Sequence, residues 1–399
     1  MNMNKIAFNI LTVPVLAVLA VSCGGQDEIY KEWVKKGGYD YPAKAINLSS
    51  VIGYQNVIVN WEKPMDPAVR TATLFWDNYA KSIDVDYADY PDGKVSIKVG
   101  ELEDRSYTFD IVNYDDVGNK SLAAEITVSP YGDGWMVSRS ERTVTSARME
   151  GRDAKIVMSK ATDEMVATRF RYKNLQDEWV ESETVLKPGE NEVTFKDAMK
   201  GKRFEYSSSF CPKAGKDTVW RTWTKSADGI SYQLDGSRWN VTATNGQYFG
   251  INTPEKIFDG RYDRPAYSWH SSKSDNNKQA FPKILSVDTQ TSTGEEFAFT
   301  GFTFCENNTA ASLRYIKDYT IYVGSSYYNP DDADYLKNFG IPFIGGTLST
   351  SADQYSVNVT QGATGRYMAI VFKNSWNADD GFIDLWELIP YGYIPSLAD

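Results

Sequence analysis

The chain is poor in the residues that many catalytic and metal sites depend on. Its 399 residues include three cysteines and a single histidine, His270. A disulfide framework needs four or more cysteines at regular spacing, so none is predicted. Cys211 and Cys305 are interpreted either as buried thiols that pack as small apolar side chains or as one bridge between them. A lone histidine argues against Ser–His–Asp chemistry, and the sequence has no zinc motif or phosphate-binding loop.

Basic clusters and membrane-length apolar runs are missing as well. The formal net charge is -11 and the isoelectric point is near 4.9. This acidity argues against a nucleic-acid partner, because no long Lys/Arg cluster offsets it. The apolar run at residues 6–20 is interrupted by Pro14 and is shorter than the roughly 20 residues that a stable span needs.

That short run has a different interpretation as an export signal. Lys5 and residues 6–20 have the pattern of a charged n-region and an apolar h-region. The letters "AVSC" at 20–23 resemble a bacterial lipobox. The resemblance implies a signal peptide over 1–22, a diacylglycerol on Cys23 and a flexible tether over 23–43. An ordinary secretory signal with an incidental cysteine is the alternative.

The letters "GGQDE" after Cys23 resemble the acidic export signal of surface-exposed Bacteroidetes lipoproteins. This implies an acyl anchor in the lipid of the outer membrane, with the protein facing the cell exterior. A periplasm-facing orientation is the alternative.

The remaining sequence consists of short apolar alternations separated by Gly, Asp, Asn and Pro, which predicts an all-β protein built of sandwiches. In residues 44–131, "LEDRSYTFDI" resembles the tyrosine corner of a fibronectin type III sandwich. The resemblance implies a hydrogen bond from the Tyr107 hydroxyl to the backbone before Leu102. This stretch also resembles a domain of unknown function at the N-terminus of Bacteroidetes surface lipoproteins. Residues 132–228 repeat the strand spacing and predict a second fibronectin type III-like or immunoglobulin-like sandwich.

Residues 237–394 have a different pattern. They contain, in order, "RWNVTATNG", "PEKIFDGRYDRPAYSWHS", "YIKDYTIYVG", "RYMAIVF" and "IDLWELIPYG". Together these resemble a discoidin domain, also called coagulation factor V/VIII type C, which is a galactose-binding-like β jelly roll. A generic third sandwich is the alternative. The predicted fold class is therefore two sandwiches followed by a discoidin-like jelly roll.

The discoidin resemblance, and its likeness to family 32 carbohydrate-binding modules, implies a structural Ca²⁺ site. Carried across, Asp259 and Glu387 are the carboxylate ligands, and Ser268 with carbonyls near Ile257 and Tyr262 completes the shell. Calcium accepts six to eight oxygens, including backbone carbonyls. However, Trp269 lies further from Asp259 than the family pattern has it. The alternative is therefore an Asp-Gly turn whose carboxylate is solvated and binds no ion.

Discoidin-like domains recognise ligands with loops at one end of the barrel. An aromatic ring stacks on the apolar face of a sugar while polar side chains bond its hydroxyls. The candidate ligand-binding residues are Trp376, Asn377, Arg314, His270, Tyr248 and Asn307. Trp376 is the strongest of these because its flanks are polar and turn-like. For each residue, a packed position at the rim is the alternative.

No stretch long enough for a catalytic domain remains once these modules are assigned. We therefore expect a non-catalytic cell-surface lipoprotein that binds glycans through its C-terminal module, as part of a polysaccharide-utilisation system. Its expected partners are a glycan, the outer-membrane lipid and other surface lipoproteins. A protein-binding adhesin or assembly scaffold is one alternative, and a glycosidase with paired carboxylates is another.

Overall fold

The computed structural model describes most of the chain beyond residue 40. The described residues are 41–244, 248, 250–261, 268–271, 281–291, 295–306, 315–349, 353–376 and 383–399. They form β-strands with a few short helical turns, and the predicted all-β fold is confirmed. In this described part, no helix is long and apolar enough to cross a membrane. The chain divides into two compact units, one ending at Gly132 and the other running from Asp133 to Asp399.

The first unit is a sandwich of two antiparallel sheets. Its strands are β1 (Ile46–Gly53), β2 (Asn56–Glu62), β3 (Val69–Trp76), β4 (Lys81–Asp86), β5 (Lys94–Val99), β6 (Tyr107–Asp115) and β7 (Ala124–Val128). The sheets have the orders β1-β2-β5 and β4-β3-β6-β7. A three-stranded sheet packed on a four-stranded one in this order is the arrangement of a fibronectin type III sandwich.

The core of this sandwich follows directly from period-two alternation. Val57, Val59 and Trp61 point inward from β2, as the sequence indicates, because successive side chains of a strand face opposite sides. The tyrosine corner also forms, but its partner differs from the expected one. The Glu103 N–H donates to the Tyr107 hydroxyl over 3.0 Å. The Leu102 N–H cannot serve this hydroxyl, because it already donates to the Gln55 carbonyl.

The second unit begins with another sandwich. Its elements are α1 (Asp133–Val137), β8 (Val144–Glu150), β9 (Asp153–Met158), β10 (Met165–Lys173), β11 (Trp179–Glu181), β12 (Glu192–Phe195), β13 (Glu205–Phe210), β14 (Val219–Trp220) and β15 (Thr224–Lys225). The sheets have the orders β12-β9-β8 and β11-β10-β13-β14, and β15 also pairs with β13. Phe170, Phe195 and Phe204 fill the space between them.

The rest of the second unit is a jelly roll of two five-stranded sheets. Its elements are β16 (Tyr232–Gln233), β17 (Asn240–Ala243), β18 (Trp269–His270), β19 (Lys283–Asp288), β20 (Phe297–Glu306), β21 (Asp318–Gly324), α2 (Tyr335–Phe339), β22 (Ile344–Thr347), β23 (Gln354–Gly365), β24 (Tyr367–Phe372) and β25 (Asp384–Tyr393). One sheet has the order β16-β25-β20-β23 with β18 beside β25, and the other has β17-β19-β24-β21-β22. Trp269, Phe302 and Ile370 lie fully buried between the sheets.

The second sandwich and the jelly roll share close contacts through the last residues of the chain. The Arg203 N–H donates to the Ala398 carbonyl, and the Lys225 ammonium lies 2.8 Å from the Asp399 carboxylate. The Tyr393 hydroxyl donates to Asp228 over 2.8 Å. These polar contacts tie the C-terminus to the sandwich. Cys211 and Cys305 are both free thiols, so no bridge joins them. Cys305 is buried, as the first interpretation has it, whereas Cys211 is only partly buried.

Candidate functional site at one end of the jelly roll

Strand register places the ends of several jelly-roll strands at one end of the barrel. Phe372, the last residue of β24, pairs with Tyr319 near the start of β21 and with Lys283 at the start of β19. On the other sheet, Cys305 near the end of β20 pairs with Gln354 at the start of β23. We call this end, with the described residues beside these strand ends such as Glu306, Leu348 and Trp376, the loop end.

Trp376 is the exposed aromatic residue that the loop end holds in a fixed position. Its backbone N–H donates to the Tyr315 carbonyl over 2.9 Å, and its indole N–H donates to the Leu348 carbonyl over 3.0 Å. Its side chain is nevertheless 42% exposed. The Lys317 ammonium lies 4.7 Å from the ring centroid. The indole is thus anchored at its polar edge while part of its apolar surface remains open to solvent.

The other predicted ligand-binding residues are placed differently. Tyr248 follows β17, whose last residue Ala243 pairs with Leu285 near the loop end, and it is 42% exposed. His270 is only 6% exposed and lies opposite Asp384 in the β18–β25 pair, so its ring is not a surface group. Among the predicted ligand-binding and lipidation residues, four lie outside the described part: Asn377, Arg314, Asn307 and Cys23.

Sequence reasoning missed a buried carboxylate at the same end. Glu306, the last residue of β20, is 2% exposed, and its Oε1 accepts the Ile316 N–H over 2.6 Å. Burial raises the pKa of Glu306 to about 8, and the charge of Asp353 adds to the shift. Within the described residues, no donor reaches its Oε2. The available signal was the position of an acidic residue directly after the apolar run "FAFTGFTFC".

The predicted calcium ligands Asp259 and Glu387 line a cavity of about 390 Å³. Asp259 ends a 3₁₀ turn at Pro254–Phe258, and Gly260 follows it with a φ of +74°, which glycine adopts without strain. This conformation lets the Gly260 N–H donate to Glu387 Oε1 over 3.3 Å, while the Arg261 N–H donates to Asp259 Oδ1 over 2.9 Å. The turn therefore holds both carboxylates beside each other.

The electrostatics of this pair fit a hard cation. Burial raises the pKa of Glu387 to about 8, and the neighbouring charge of Asp259 contributes. Burial also raises the pKa of Asp259. The Lys256 ammonium is 3.9 Å from Asp259, and no described donor reaches Glu387 Oε2. A buried carboxylate oxygen without a donor, next to a second carboxylate, matches the oxygen ligands that Ca²⁺ accepts.

The third predicted ligand is not on the wall of this cavity. The Ser268 hydroxyl accepts a hydrogen bond from the Asn252 amide over 3.2 Å, and Ser268 does not line the cavity. Asp235, which sequence reasoning missed, does line it. In the ranges that the structure describes, no three His, Cys, Asp or Glu side chains converge tightly enough to hold one metal ion. An ion here would need backbone carbonyls or water to complete its shell.

The comparisons with known proteins match the chain in two ways. Residues 23–217 match a family model, DUF4998, described as a domain of unknown function. Among solved structures, the family 32 carbohydrate-binding module from C. perfringens NanJ in complex with galactose is 17% identical with a TM-score of 0.32. It covers 41% of this chain and 99% of its own.

Two further solved structures cover more of the chain. A SusE-like protein is 10% identical with a TM-score of 0.29, covering 87% of this chain and 97% of its own. A fucolectin from Morone saxatilis (striped bass) serum is 11% identical with a TM-score of 0.31, covering 74% of this chain and 86% of its own. No curated protein sequence matches the chain.

Proposed function

We propose that this chain is a non-catalytic glycan-binding lipoprotein of the outer-membrane surface. In this proposal, Cys23 carries the acyl anchor and the jelly roll holds a polysaccharide near the other surface proteins of a utilisation system. The observation that carries the proposal is Trp376, an anchored and partly exposed indole at the loop end.

The anchoring of Trp376 supports a binding role for physical reasons. A large aromatic side chain left in water forgoes stabilisation that burial would give, and a rigid ring loses little conformational entropy when a ligand stacks on it. The apolar face of a sugar ring suits such a surface. Tyr248 offers a second exposed ring on a neighbouring loop.

A calcium ion between Asp259 and Glu387 is part of the proposal. The ion would neutralise two adjacent buried carboxylates and hold the 3₁₀ turn against β25. Its role would be structural, because it would fix the turn that precedes β18 and leave ligand contacts to the loop end.

The test is a glycan array probed with the full mature chain, followed by titration of Trp376→Ala with each uncharged glycan that binds. We expect Trp376→Ala to weaken binding by about tenfold or more, which corresponds to about 1.4 kcal/mol. Tyr327→Ala is the matched control. Tyr327 is also an exposed aromatic of the jelly roll but follows the opposite end of β21.

Two outcomes would contradict the proposal. One is a folded chain that binds no glycan across a broad array, which would favour the protein-binding alternative. The other is binding that Trp376→Ala and Tyr327→Ala weaken equally, which would place the ligand away from the loop end.

A further inference from the structure

The outer face of the second sandwich contains an alternating row of tryptophans and cations. The Arg169 guanidinium lies 4.5 Å from the Trp220 ring centroid and 4.6 Å from that of Trp223. Arg171 lies 4.7 Å from Trp223 and 5.4 Å from Trp179. The Lys173 ammonium is also 5.4 Å from Trp179. We call these six side chains the Trp–cation ladder.

Strand geometry explains why these residues meet. Arg169, Arg171 and Lys173 occupy alternate positions of β10 and so share one face of the sheet. Trp179 is brought alongside by β11, which pairs with β10, and Trp220 by β14 on the far side of β13. At about 3.3 Å per residue, the three cations span about 13 Å along the strand.

The ladder is an exposed surface. Trp179 is 44% exposed and Trp220 is 38% exposed. Cation–π contacts explain how each cation is held over the rings. They do not explain why two tryptophans stay in solvent on the outer face of a sheet, where polar residues are usual.

The charges of the ladder are not fully neutralised within the protein. Arg171 forms an ion pair with Glu205, and Lys173 pairs with Asp177 over 3.2 Å. Arg169 has no carboxylate within ion-pair distance in the described part of the chain, and no described acceptor reaches its Nε. Arg169 is therefore an uncompensated guanidinium between two indoles, on a protein with a net charge of -11.

We propose that the Trp–cation ladder is a second binding site, for a polysaccharide that carries carboxylates on some of its sugar residues. Sugar rings would stack on the exposed indoles, and a uronate carboxylate would pair with Arg169, since guanidinium and carboxylate match in geometry. A single unpaired cation suits a polysaccharide with few charges better than a nucleic acid, which carries a negative charge on every nucleotide. The net negative charge of the protein would also repel a nucleic acid. This site is independent of the function proposed for the loop end.

The test uses hyaluronan, which alternates glucuronate with N-acetylglucosamine, and the same polymer after its carboxylates are reduced to alcohols. Binding to the full mature chain is measured by calorimetry. We expect the reduced polymer to bind at least about tenfold more weakly than hyaluronan. Arg169→Gln should lower the affinity for hyaluronan by a similar factor and should not change the affinity for the reduced polymer. Arg169→Lys, which keeps the charge, should retain part of the affinity. Glu205→Gln should tighten binding because it removes the carboxylate that neutralises Arg171.

Controls separate this site from others. Lys160→Gln removes an exposed cation elsewhere on the same sandwich and should leave hyaluronan binding unchanged, as should Tyr327→Ala, which removes an exposed aromatic ring of the jelly roll. Equal affinity for the native and reduced polymers would overturn the proposal, as would equal losses with Arg169→Gln and Lys160→Gln. Tighter binding of single-stranded DNA than of hyaluronan, or no binding of hyaluronan by the folded chain, would also overturn it.

Discussion

The buried carboxylate of Glu306 predicts a measurable dependence of stability on pH. Burial raises the pKa of Glu306 from 4.5 to about 8 in the folded chain. The folded state therefore holds a proton that the unfolded state has released between those two pH values. Stability contributed by this group is complete below about pH 4.5 and falls as the pH rises toward 8. At about 1.4 kcal/mol per pKa unit, the loss is at most about 5 kcal/mol.

Glu306→Gln is the perturbation that isolates this effect. Glutamine keeps an oxygen to accept the Ile316 N–H but carries no charge at any pH. We expect the variant to match the parent protein near pH 4.5 and to exceed its free energy of unfolding by a few kcal/mol at pH 8. Both proteins share every other titrating group. The difference between their free energies of unfolding therefore measures the contribution of Glu306 at each pH.

The assay is urea unfolding followed by tryptophan fluorescence at pH 5, 6.5 and 8. Glu295→Gln, at an exposed position of the same jelly roll, is the matched control. Parallel pH profiles for the parent and Glu306→Gln would refute the reasoning. They would mean that the carboxylate is ionised in the folded protein and compensated there.

Other predictions follow from contacts elsewhere in the chain. Tyr107→Phe removes the acceptor for the Glu103 N–H and should lower the free energy of unfolding of the first sandwich by about 1 kcal/mol, measured by urea unfolding. The buried Arg142 guanidinium donates to three backbone carbonyls at 2.6–3.1 Å. Arg142→Lys should orphan at least one carbonyl and cost about 1–3 kcal/mol, whereas Arg152→Lys at an exposed site should leave the melting temperature unchanged. Calcium should raise the melting temperature of the parent chain, and chelator should reverse this; an equal rise in Asp259→Asn would contradict the ion site.

Much of the fold was predictable because strands leave a strong local signal. The alternation of Val57, Val59 and Trp61 fixes which side of β2 is buried, since a shift of one residue would reverse it. The resemblance of residues 102–111 to a tyrosine corner identified Tyr107, although the backbone partner of its hydroxyl differs from the one implied. The exposure of Trp376 also agrees with its local sequence, because its flanks are polar and turn-like.

The sites depend on contacts between distant residues, which local patterns do not encode. Nothing near Ser268 indicates that its hydroxyl bonds Asn252 and lies away from the cavity of Asp259 and Glu387.

The sequence by itself determined the all-β class and the inward faces of the strands, because these follow from the period of two along each strand. Only the tertiary structure decided which charges lie together. Glu306 loses its solvation, and Arg169 lies between two tryptophans, because strand pairing brings segments that are far apart in the chain within a few ångströms. Burial and Coulomb energy depend on those distances, which the order of residues does not specify.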